Sequence, residues 1–420
     1  MDDKTSETVA RALVRKYSQF AEPNQGTLAA PSKECVLLTG ATGALGCHIL
    51  FALLEREDVE KVYCLVRAVD NQLALHRVKD ALRNARLFDR LNDDQLGKIA
   101  ALSSDLGDEH LGLSQQSYQC VLDSTTSIIH NAWTVNFNRT LESFEAQSIR
   151  GLWSLLNVAL RSPLRGKPAL TFISSIGSVM KSKEKPITET RQGFENANPM
   201  GYSQSKWVAE EICRAASDQC GLATRILRVG QAVGDTRHGI WNPKEAFPHL
   251  FRSALTIGAL PVIDGDRDLF WLPVDTCAVV IVEMSLLDKM PADSKLETCS
   301  IFHITNPRSV SWNGEVLPWL KRAGLDFEAV RQTEWVRRLE ESDPDTTLNP
   351  PWKLLNYFRV NYGTVGYPLR RVFDSTQAQK YSPSLRAAKA VDEELVGKFL
   401  RFWREEGWRK SSPSKALARM

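Results

Sequence analysis

The chain has 420 residues, of which 43% are hydrophobic and 25% are charged, as in an ordinary globular protein. This composition excludes a mainly disordered chain and a fibrous one. The 53 basic and 50 acidic residues leave a net charge of +3, far from the basic excess that is typical of nucleic-acid binders. We therefore expect no nucleic-acid partner.

The eight cysteines form no CxxC pair and no cluster with zinc-ligand spacing, so we expect no metal site and thiols that are reduced and buried. No apolar run reaches the ~18 residues of a membrane span, and the acidic, polar start argues against a signal peptide. We expect a cytoplasmic protein with no membrane partner. The end, Ala418-Arg419-Met420, loosely resembles a peroxisomal address; the alternative is a frayed basic tail.

Helical spacing of apolar residues predicts an amphipathic helix over 8–20, and a polar linker follows it. From residue 35 onward, strand and helix signals alternate, which is typical of a parallel, doubly wound α/β sheet of the Rossmann kind. The predicted strands cover 35–39, 62–66, 98–103, 127–129, 169–173 and 224–227, and the main helices cover 45–56, 141–160 and 200–217.

The pattern changes after about residue 235, where prolines and tryptophans become dense. A strand–helix unit recurs near 270–288, another strand is predicted at 301–304, and the rest is mainly helical. We therefore predict an N-terminal helix and linker (1–34), a nucleotide-binding Rossmann domain (35–236, with 270–288 returning to it), a smaller, mainly helical C-terminal substrate-binding lobe (237–408) and a flexible basic tail (409–420).

A glycine-rich loop joins the first predicted strand to the first helix of the sheet. In such a loop Gly40 permits a tight turn, Gly43 lets the backbone approach a pyrophosphate, and Gly46 lets the helix pack on the sheet. The helix N-terminus then offers free N–H groups to the phosphates. The motif predicts dinucleotide binding; the alternative is a turn that binds nothing. Its sequence is Thr39-Gly40-Ala41-Thr42-Gly43-Ala44-Leu45-Gly46.

The second predicted strand ends at Arg67, where an NAD enzyme usually has a carboxylate for the ribose 2′-OH. A guanidinium suits a 2′-phosphate instead, so the sequence favours NADPH over NADH. Arg77, on the next predicted helix, either binds a second side of that phosphate or lies on a solvated helix face.

Tyr202 and Lys206 form a Tyr-x-x-x-Lys motif on a predicted helix, so both side chains share one face. We expect the lysine charge to lower the pKa of the tyrosine and so assist proton exchange, and we expect the lysine to hold the nicotinamide ribose. Ser174 and Ser175 end the fifth strand. Strand alternation turns them to opposite faces, and we assign Ser175 as the donor to a substrate carbonyl; the alternative is that both only cap the turn.

Polar residues also follow the third and fourth predicted strands. Asn131 either contacts the cofactor or hydrogen-bonds the loop, and the preceding His130 is predicted to be a core histidine. Asp105, followed by Leu106, either accepts a hydrogen bond from the adenine amino group or caps a helix. The carboxyl ends of strands are where ligands bind in open α/β sheets.

These motifs, together with Arg228-Val229-Gly230-Gln231 and Trp271-Leu272-Pro273-Val274-Asp275, resemble the extended short-chain dehydrogenase/reductases. They are most similar to the thioester reductase domains of nonribosomal peptide synthetases, α-aminoadipate reductases and carboxylic acid reductases, above all the fungal ones. The similarity extends from about residue 8 to about residue 408. In that family the residues that match Thr42, Gly43, Ala44, Leu45, Arg67, Arg77, Asp105 and Leu106 contact NADPH.

The resemblance implies NADPH-dependent reductive release of a phosphopantetheine-bound acyl thioester as an aldehyde, or as an alcohol after a second reduction, in fungal secondary metabolism. Ser175, Tyr202 and Lys206 would be catalytic; serine stands at 175 where the family often has threonine, and it keeps the hydroxyl donor. Such reductases usually end a longer chain with activating and carrier domains. We find neither here, so the chain is either an excised domain or takes its acyl group from a carrier in trans, and we expect a monomer.

Two other functions stay open. One is another oxidoreductase or epimerase of the same fold, such as a sugar-nucleotide epimerase or a hydroxysteroid-type dehydrogenase. The C-terminal lobe argues against it, because substrate choice depends on the grafted site and not on the shared sheet. The other is a non-catalytic scaffold, against which the intact Ser175, Tyr202 and Lys206 argue.

Overall fold

A parallel sheet is the central element of the structure, a computed structural model that describes residues 3–136, 139–287, 297–364 and 371–408. The predicted tail at 409–420, with Ala418-Arg419-Met420, lies outside the described residues. In the described part of the chain, the strands are β1 Glu34–Thr39, β2 Val59–Val66, β3 Ile99–Ser103, β4 Ser127–His130, β5 Ala169–Ser175, β6 Thr224–Val229, β7 Ala232–Val233, β8 Ala259–Val262, β9 Asp268–Leu269, β10 Leu272–Pro273, β11 Cys299–Ile304, β12 Val310–Ser311 and β13 Glu328–Arg331.

Helices alternate with these strands. In the same residues they are α1 Asp3–Lys16, α2 Ala44–Leu54, α3 Asn71–Asn84, α4 Asp93–Gly97, α5 Gln115–Ser124, α6 Arg150–Arg161, α7 Gly201–Cys220, α8 Ala246–Thr256, α9 Val274–Ser285, α10 Leu317–Arg322, α11 Gln332–Glu340, α12 Leu355–Tyr362, α13 Thr376–Tyr381, α14 Pro383–Ala387 and α15 Glu393–Glu405.

The chain divides into two compact units. Unit 1 comprises Met1–Gly230, Asp275–Thr305 and Arg371–Ala387, and unit 2 comprises Gln231–Val274, Asn306–Arg370 and Ala388–Met420.

Unit 1 contains a seven-stranded sheet in the order β11-β6-β5-β4-β1-β2-β3, and every neighbouring pair is parallel. Strand β1 is buried along its whole length, as expected for a strand that is covered on both faces. The order reverses between β1 and β4, and a ligand crevice forms at such a switch point. The predicted doubly wound α/β fold is confirmed.

Two predicted helices have different boundaries in the structure. Helix α1 ends at Lys16 and not near residue 20, because the indole of Trp153 donates to the carbonyl oxygen of Gln19 and draws the chain away from the helix. The segment predicted as helix from 141 begins with a 3₁₀ turn at Glu142–Phe144 and a π turn at Glu145–Ile149 before the α-helical part begins.

Unit 2 is mainly helical and has its own aromatic core. In its described part, the strands form three two-stranded ladders, β10–β7, β12–β9 and β13–β8. Trp271, Trp312, Trp335 and Trp403 are fully buried, and the indoles of the last three donate to Pro261 O, Ser253 Oγ and Trp241 O. The tryptophan-rich sequence after residue 235 therefore builds a core.

All eight cysteines are free thiols, as predicted. Five are buried, but Cys120 is exposed and Cys220 and Cys299 are half-buried, so the expectation that all are buried is wrong for these three. Cys120 lies on helix α5, which buries only Tyr118, Val121 and Leu122. Among the helices of the described residues, none has the length and apolar character needed to cross a membrane.

Candidate active site

The glycine loop follows β1, as predicted, and packing alone requires two of its three glycines. Gly40 has φ +75°, and a Cβ there would lie 2.9 Å from the backbone nitrogen of Ala132. A Cβ at Gly46 would lie 1.9 Å from the carbonyl oxygen of Gly40. At Gly43 the nearest atom would be 3.4 Å away, so protein packing leaves room for a methyl group there.

The space at Gly43 suits a nucleotide. Helix α2 starts at Ala44, and no described side chain caps its first turn, so the N–H groups of that turn are available to an anion. Gly43 and Ala44 are exposed. A glycine that packing does not require, beside an uncapped helix N-terminus, is what the close approach of a pyrophosphate needs. The loop therefore fits a dinucleotide.

The end of β4 is hydrogen-bonded to the glycine loop. The backbone N–H groups of Asn131 and Ala132 donate to Thr39 Oγ1 at 3.1 and 3.0 Å, and Asn131 Nδ2 lies 3.4 Å from Gly40 O. Asn131 thus holds the loop, one of the two roles left open for it. Thr39, which our sequence analysis did not single out, links the two strands; its position at the end of β1 was the available signal.

His130 is a core histidine, as expected. Its Nδ1 lies 2.8 Å from Thr39 Oγ1. Burial lowers the pKa of the imidazole to about 3, and the positive charge of Lys206 contributes in the same direction. The ring is therefore neutral at physiological pH.

Ser175 and Tyr202 are brought together by the ends of β5 and the start of α7. The two side chains are neighbours, since Ser175 acts to lower the pKa of the Tyr202 phenol, and Ser175 Oγ accepts from the backbone N–H of Gly177 at 3.1 Å. Ser174 is buried and donates to Glu210 instead. The two serines therefore face opposite sides, and Ser175 is the one beside the tyrosine.

Lys206 is buried under two aromatic rings. Its Nζ lies 4.2 Å from the ring centroid of Trp133 and 4.7 Å from that of Phe172, and it donates to Ile173 O at 2.6 Å. Burial lowers its pKa well below the ordinary value, and the charge of Glu210 opposes this shift. Trp133 as a cation–π partner was not assigned from the sequence.

The pKa of Tyr202 moves in the opposite direction to the one expected from the sequence. Burial raises it to about 12, and the hydrogen bond with Ser175 only partly offsets this. The expectation that Lys206 lowers it is wrong for this structure, because the ammonium is directed at Ile173 O and lies 5.8 Å from the centroid of the tyrosine ring.

The two arginines proposed for the 2′-phosphate lie together at the end of β2. Both are exposed, and the guanidinium of Arg77, on α3, donates to the carbonyl oxygen of Arg67. Arg77 is therefore hydrogen-bonded to the end of the strand and is more than a residue of a solvated helix face.

Asp105 follows β3 and caps a turn, not a helix. Its Oδ1 accepts from the backbone N–H of Gly107 at 2.9 Å, whereas Asp108 stands at the N-cap of the next 3₁₀ turn. Leu106 packs against Gly151: a Cβ added at Gly151 would lie 2.9 Å from the Cβ of Leu106. The tight contact fixes the backbone that carries Asp105.

The strand order, the glycine loop and the Tyr-x-x-x-Lys helix beside a strand-end serine define an extended short-chain dehydrogenase/reductase. Residues 38–281, more than half of the chain, match the NAD-binding family described as male sterility protein. The chain belongs to this family, whose fold binds a nicotinamide cofactor.

The similar proteins include reductases of biosynthetic synthetases. The chain is 31% identical to the adenylate-forming reductase Nps10 of Heterobasidion annosum, with 94% of this chain and 37% of that protein covered. It is 33% identical to the 3-methylorcinaldehyde synthase tropA of Talaromyces stipitatus, with 94% and 15% covered. The chain thus spans well under half the length of either relative.

The terminal R domain of the myxalamid PKS-NRPS biosynthetic pathway has the same fold. It superposes with a TM-score of 0.82 at 27% identity, and the match covers 96% of this chain and 99% of that domain. The chain is therefore similar to a complete reductase domain and to one portion of the longer relatives.

Proposed function

We propose that this chain reduces an acyl thioester, held on the phosphopantetheine arm of a carrier domain, to an aldehyde with NADPH. The observation that carries the proposal is that Ser175, at the carboxyl end of β5, and Tyr202, at the start of α7, are neighbours in the same unit as the glycine loop. The relatives support it, since one is named as an adenylate-forming reductase and another as an aldehyde synthase.

The cofactor site in this proposal consists of residues at the ends of β1 to β4. The glycine loop and the first turn of α2 hold the pyrophosphate, and Arg67 with Arg77 receives the 2′-phosphate, which makes NADPH the preferred dinucleotide. When bound, the cofactor supplies the hydride. The proposed cofactor contacts are Gly40, Thr42, Gly43, Ala44, Leu45, Gly46, Arg67, Arg77, Asp105, Leu106, Asn131, Tyr202 and Lys206.

The hydroxyl groups of Ser175 and Tyr202 hold the thioester carbonyl oxygen and stabilise its developing negative charge. Because burial raises the pKa of Tyr202 to about 12, the phenol is protonated at neutral pH and can give its proton to that oxygen. Lys206 binds the nicotinamide ribose. The C–S bond of the resulting hemithioacetal then breaks, and aldehyde and free thiol leave.

The acyl group reaches this site on a carrier domain, either from a longer parent chain or in trans. The chain matches only a portion of its large synthetase relatives, which is consistent with delivery by another domain. That the protein is a cytoplasmic monomer, and that unit 2 selects the substrate, remain predictions.

A substrate comparison tests the proposal against the other enzymes of this fold. Acyl-pantetheine thioesters and sugar nucleotides are each offered with NADPH or NADH, and the consumption of reduced cofactor and the products are measured. We expect aldehyde from thioesters with NADPH and no reaction with sugar nucleotides. Conversion of sugar nucleotides alone would assign the chain to a different reaction.

A further inference from the structure

A buried ion pair lies behind the proposed catalytic serine. Glu210, on α7, and Arg228, on β6, have side chains that are 5% and 1% exposed. The guanidinium contacts Glu210 Oε2 through Nη2 at 2.8 Å and through Nε at 3.1 Å. A buried ion pair is weak evidence for a stabilising role, because desolvation opposes the attraction.

The other carboxylate oxygen of Glu210 holds the backbone on both sides of Ser175. Oε1 accepts from Ser174 Oγ at 2.5 Å and lies 2.7 Å from Ser178 Oγ. Ser178 Oγ is also 2.8 Å from the carbonyl oxygen of Ser175, so its single proton is shared between the carboxylate and the catalytic residue. Glu210 thereby connects α7, which carries Tyr202, to the end of β5, which carries Ser175.

Glu210 also faces Lys206, one helical turn before it on α7. The other titratable groups that bear on Lys206 among the described residues are uncharged at neutral pH. Burial keeps the pKa of His130 at about 3, raises that of Tyr202 to about 12 and raises that of the Cys213 thiol. Glu210 is thus the negative charge that opposes the effect of burial on Lys206.

Arg228 contacts the Glu210 carboxylate from the opposite side and so helps to hold α7, which carries Tyr202, against the end of β5, which carries Ser175. Its Nη1 donates to Thr190 O at 2.9 Å and lies 3.4 Å from His303 Nε2. Burial, with a contribution from Arg228, lowers the pKa of His303 to about 3. The neutral ring donates from Nδ1 to Asp374 O at 2.7 Å and accepts at Nε2, which leaves the arginine surrounded by acceptors.

We propose that Glu210, held in place by Arg228, is a positioning residue for the reduction: it sets the place of Ser175 through Ser174 and Ser178, and it faces Lys206 with a compensating negative charge. The inference rests on the proposed function. In this proposal the Glu210 carboxylate does not itself touch substrate or cofactor. It aligns the Ser175 hydroxyl, which contacts the substrate.

The test is Glu210→Gln, which keeps the shape of the side chain and removes its charge. We expect kcat on an acyl-pantetheine thioester to fall about 10- to 100-fold, the scale of a misplaced catalytic group, with little change in KM. Loss of the negative charge lowers the pKa of Lys206, so the alkaline limb of the pH–kcat profile moves to lower pH. A purely structural role would not move that limb.

Glu211→Gln is the matched control. Glu211 is the next residue of α7, its side chain is 7% exposed, and it pairs with Arg191 at 2.6 Å and with Arg214 at 3.2 Å. It has no contact with Ser174, Ser178 or Arg228 among the described residues. We expect its kcat and its pH profile to match the unmodified protein.

Ser178→Ala supplies a second variant for the case in which Glu210→Gln fails to fold. It removes the shared proton without burying an unpaired charge. We expect kcat to fall about 2- to 10-fold, the value of one hydrogen bond, with an unchanged alkaline limb.

The outcomes separate the two claims. No thioester reduction by the unmodified protein would overturn the proposed function, and this inference with it. Normal turnover or an unmoved alkaline limb in Glu210→Gln would overturn the positioning role alone. If that variant does not fold, normal turnover in Ser178→Ala would do so.

Discussion

Tyr202 is kept in its protonated form by its environment. Burial raises the pKa of the phenol to about 12, against the hydrogen bond from Ser175, so it stays protonated across neutral pH. A protonated phenol beside a developing oxyanion favours reduction, whereas oxidation of an alcohol would require the phenolate. The protonated state of Tyr202 is therefore the one that a reductase needs.

Tyr202→Phe should lower kcat for thioester reduction by about 100- to 10,000-fold, the contribution of a positioned acid. NADPH affinity should stay near normal, because the ring, whose centroid lies 6.4 Å from that of Phe144, is kept. Initial rates and a fluorescence titration measure the two quantities. Tyr63→Phe is the control, since that hydroxyl contacts Ser124 at 3.0 Å. A Tyr202→Phe enzyme with most of its activity would show that the acid is another group.

Arg67→Ala should weaken the binding of NADPH much more than the binding of NADH. A charge-assisted contact to phosphate contributes about 1.5–3 kcal/mol, which is about one to two decades of affinity. Arg77→Ala should act in the same direction but less, because its guanidinium also donates to Arg67 O. Arg83→Ala is the control, since this arginine of the same helix pairs with Asp80 at 2.9 Å. Isothermal titration that finds equal losses for both dinucleotides in Arg67→Ala would make that residue structural.

At the scale of elements, the sheet and most of the site follow from local sequence patterns. Buried apolar runs predicted the positions of the central strands, and the glycine motif predicted a loop between β1 and α2. The end of α1 and the start of α6 were not predictable, because such boundaries depend on tertiary contacts, as that of Trp153 with Gln19 O at the end of α1 shows. Glu210 was missed, and Arg228 was named in a motif but given no role, for the same reason: no local pattern shows that α7, β5 and β6 meet at one carboxylate.

The glycine loop gives an element-scale prediction with an internal control. Gly46→Ala should destabilise unit 1, because its Cβ would lie 1.9 Å from Gly40 O and such overpacking costs about 1–3 kcal/mol or more. Gly43→Ala should keep the unmodified melting temperature, because its Cβ would meet nothing closer than 3.4 Å, yet bind NADPH more weakly. Thermal unfolding and cofactor titration separate the two effects. Equal NADPH binding by Gly43→Ala and the unmodified protein would place the pyrophosphate elsewhere.

At the scale of the whole molecule, two units with separate cores make up the chain. Unit 1 contains the glycine loop, Ser175, Tyr202 and Lys206, and unit 2 has its own tryptophan-rich core. The chain also covers 99% of a solved terminal R domain but only 37% and 15% of its longer relatives. The chain therefore corresponds in length to one domain of these longer proteins.

The most direct measurement follows the hydride. The protein is incubated with an acyl-pantetheine thioester and NADPH that carries deuterium at both hydrogen positions of nicotinamide C4, and the label, the thiol and the oxidised cofactor are quantified. The account predicts an aldehyde with deuterium on its carbonyl carbon, and thiol in an amount equal to the NADP⁺ formed, because one C–H bond forms as one C–S bond breaks. Release of thiol with unlabelled carboxylic acid and no NADPH oxidation would contradict it.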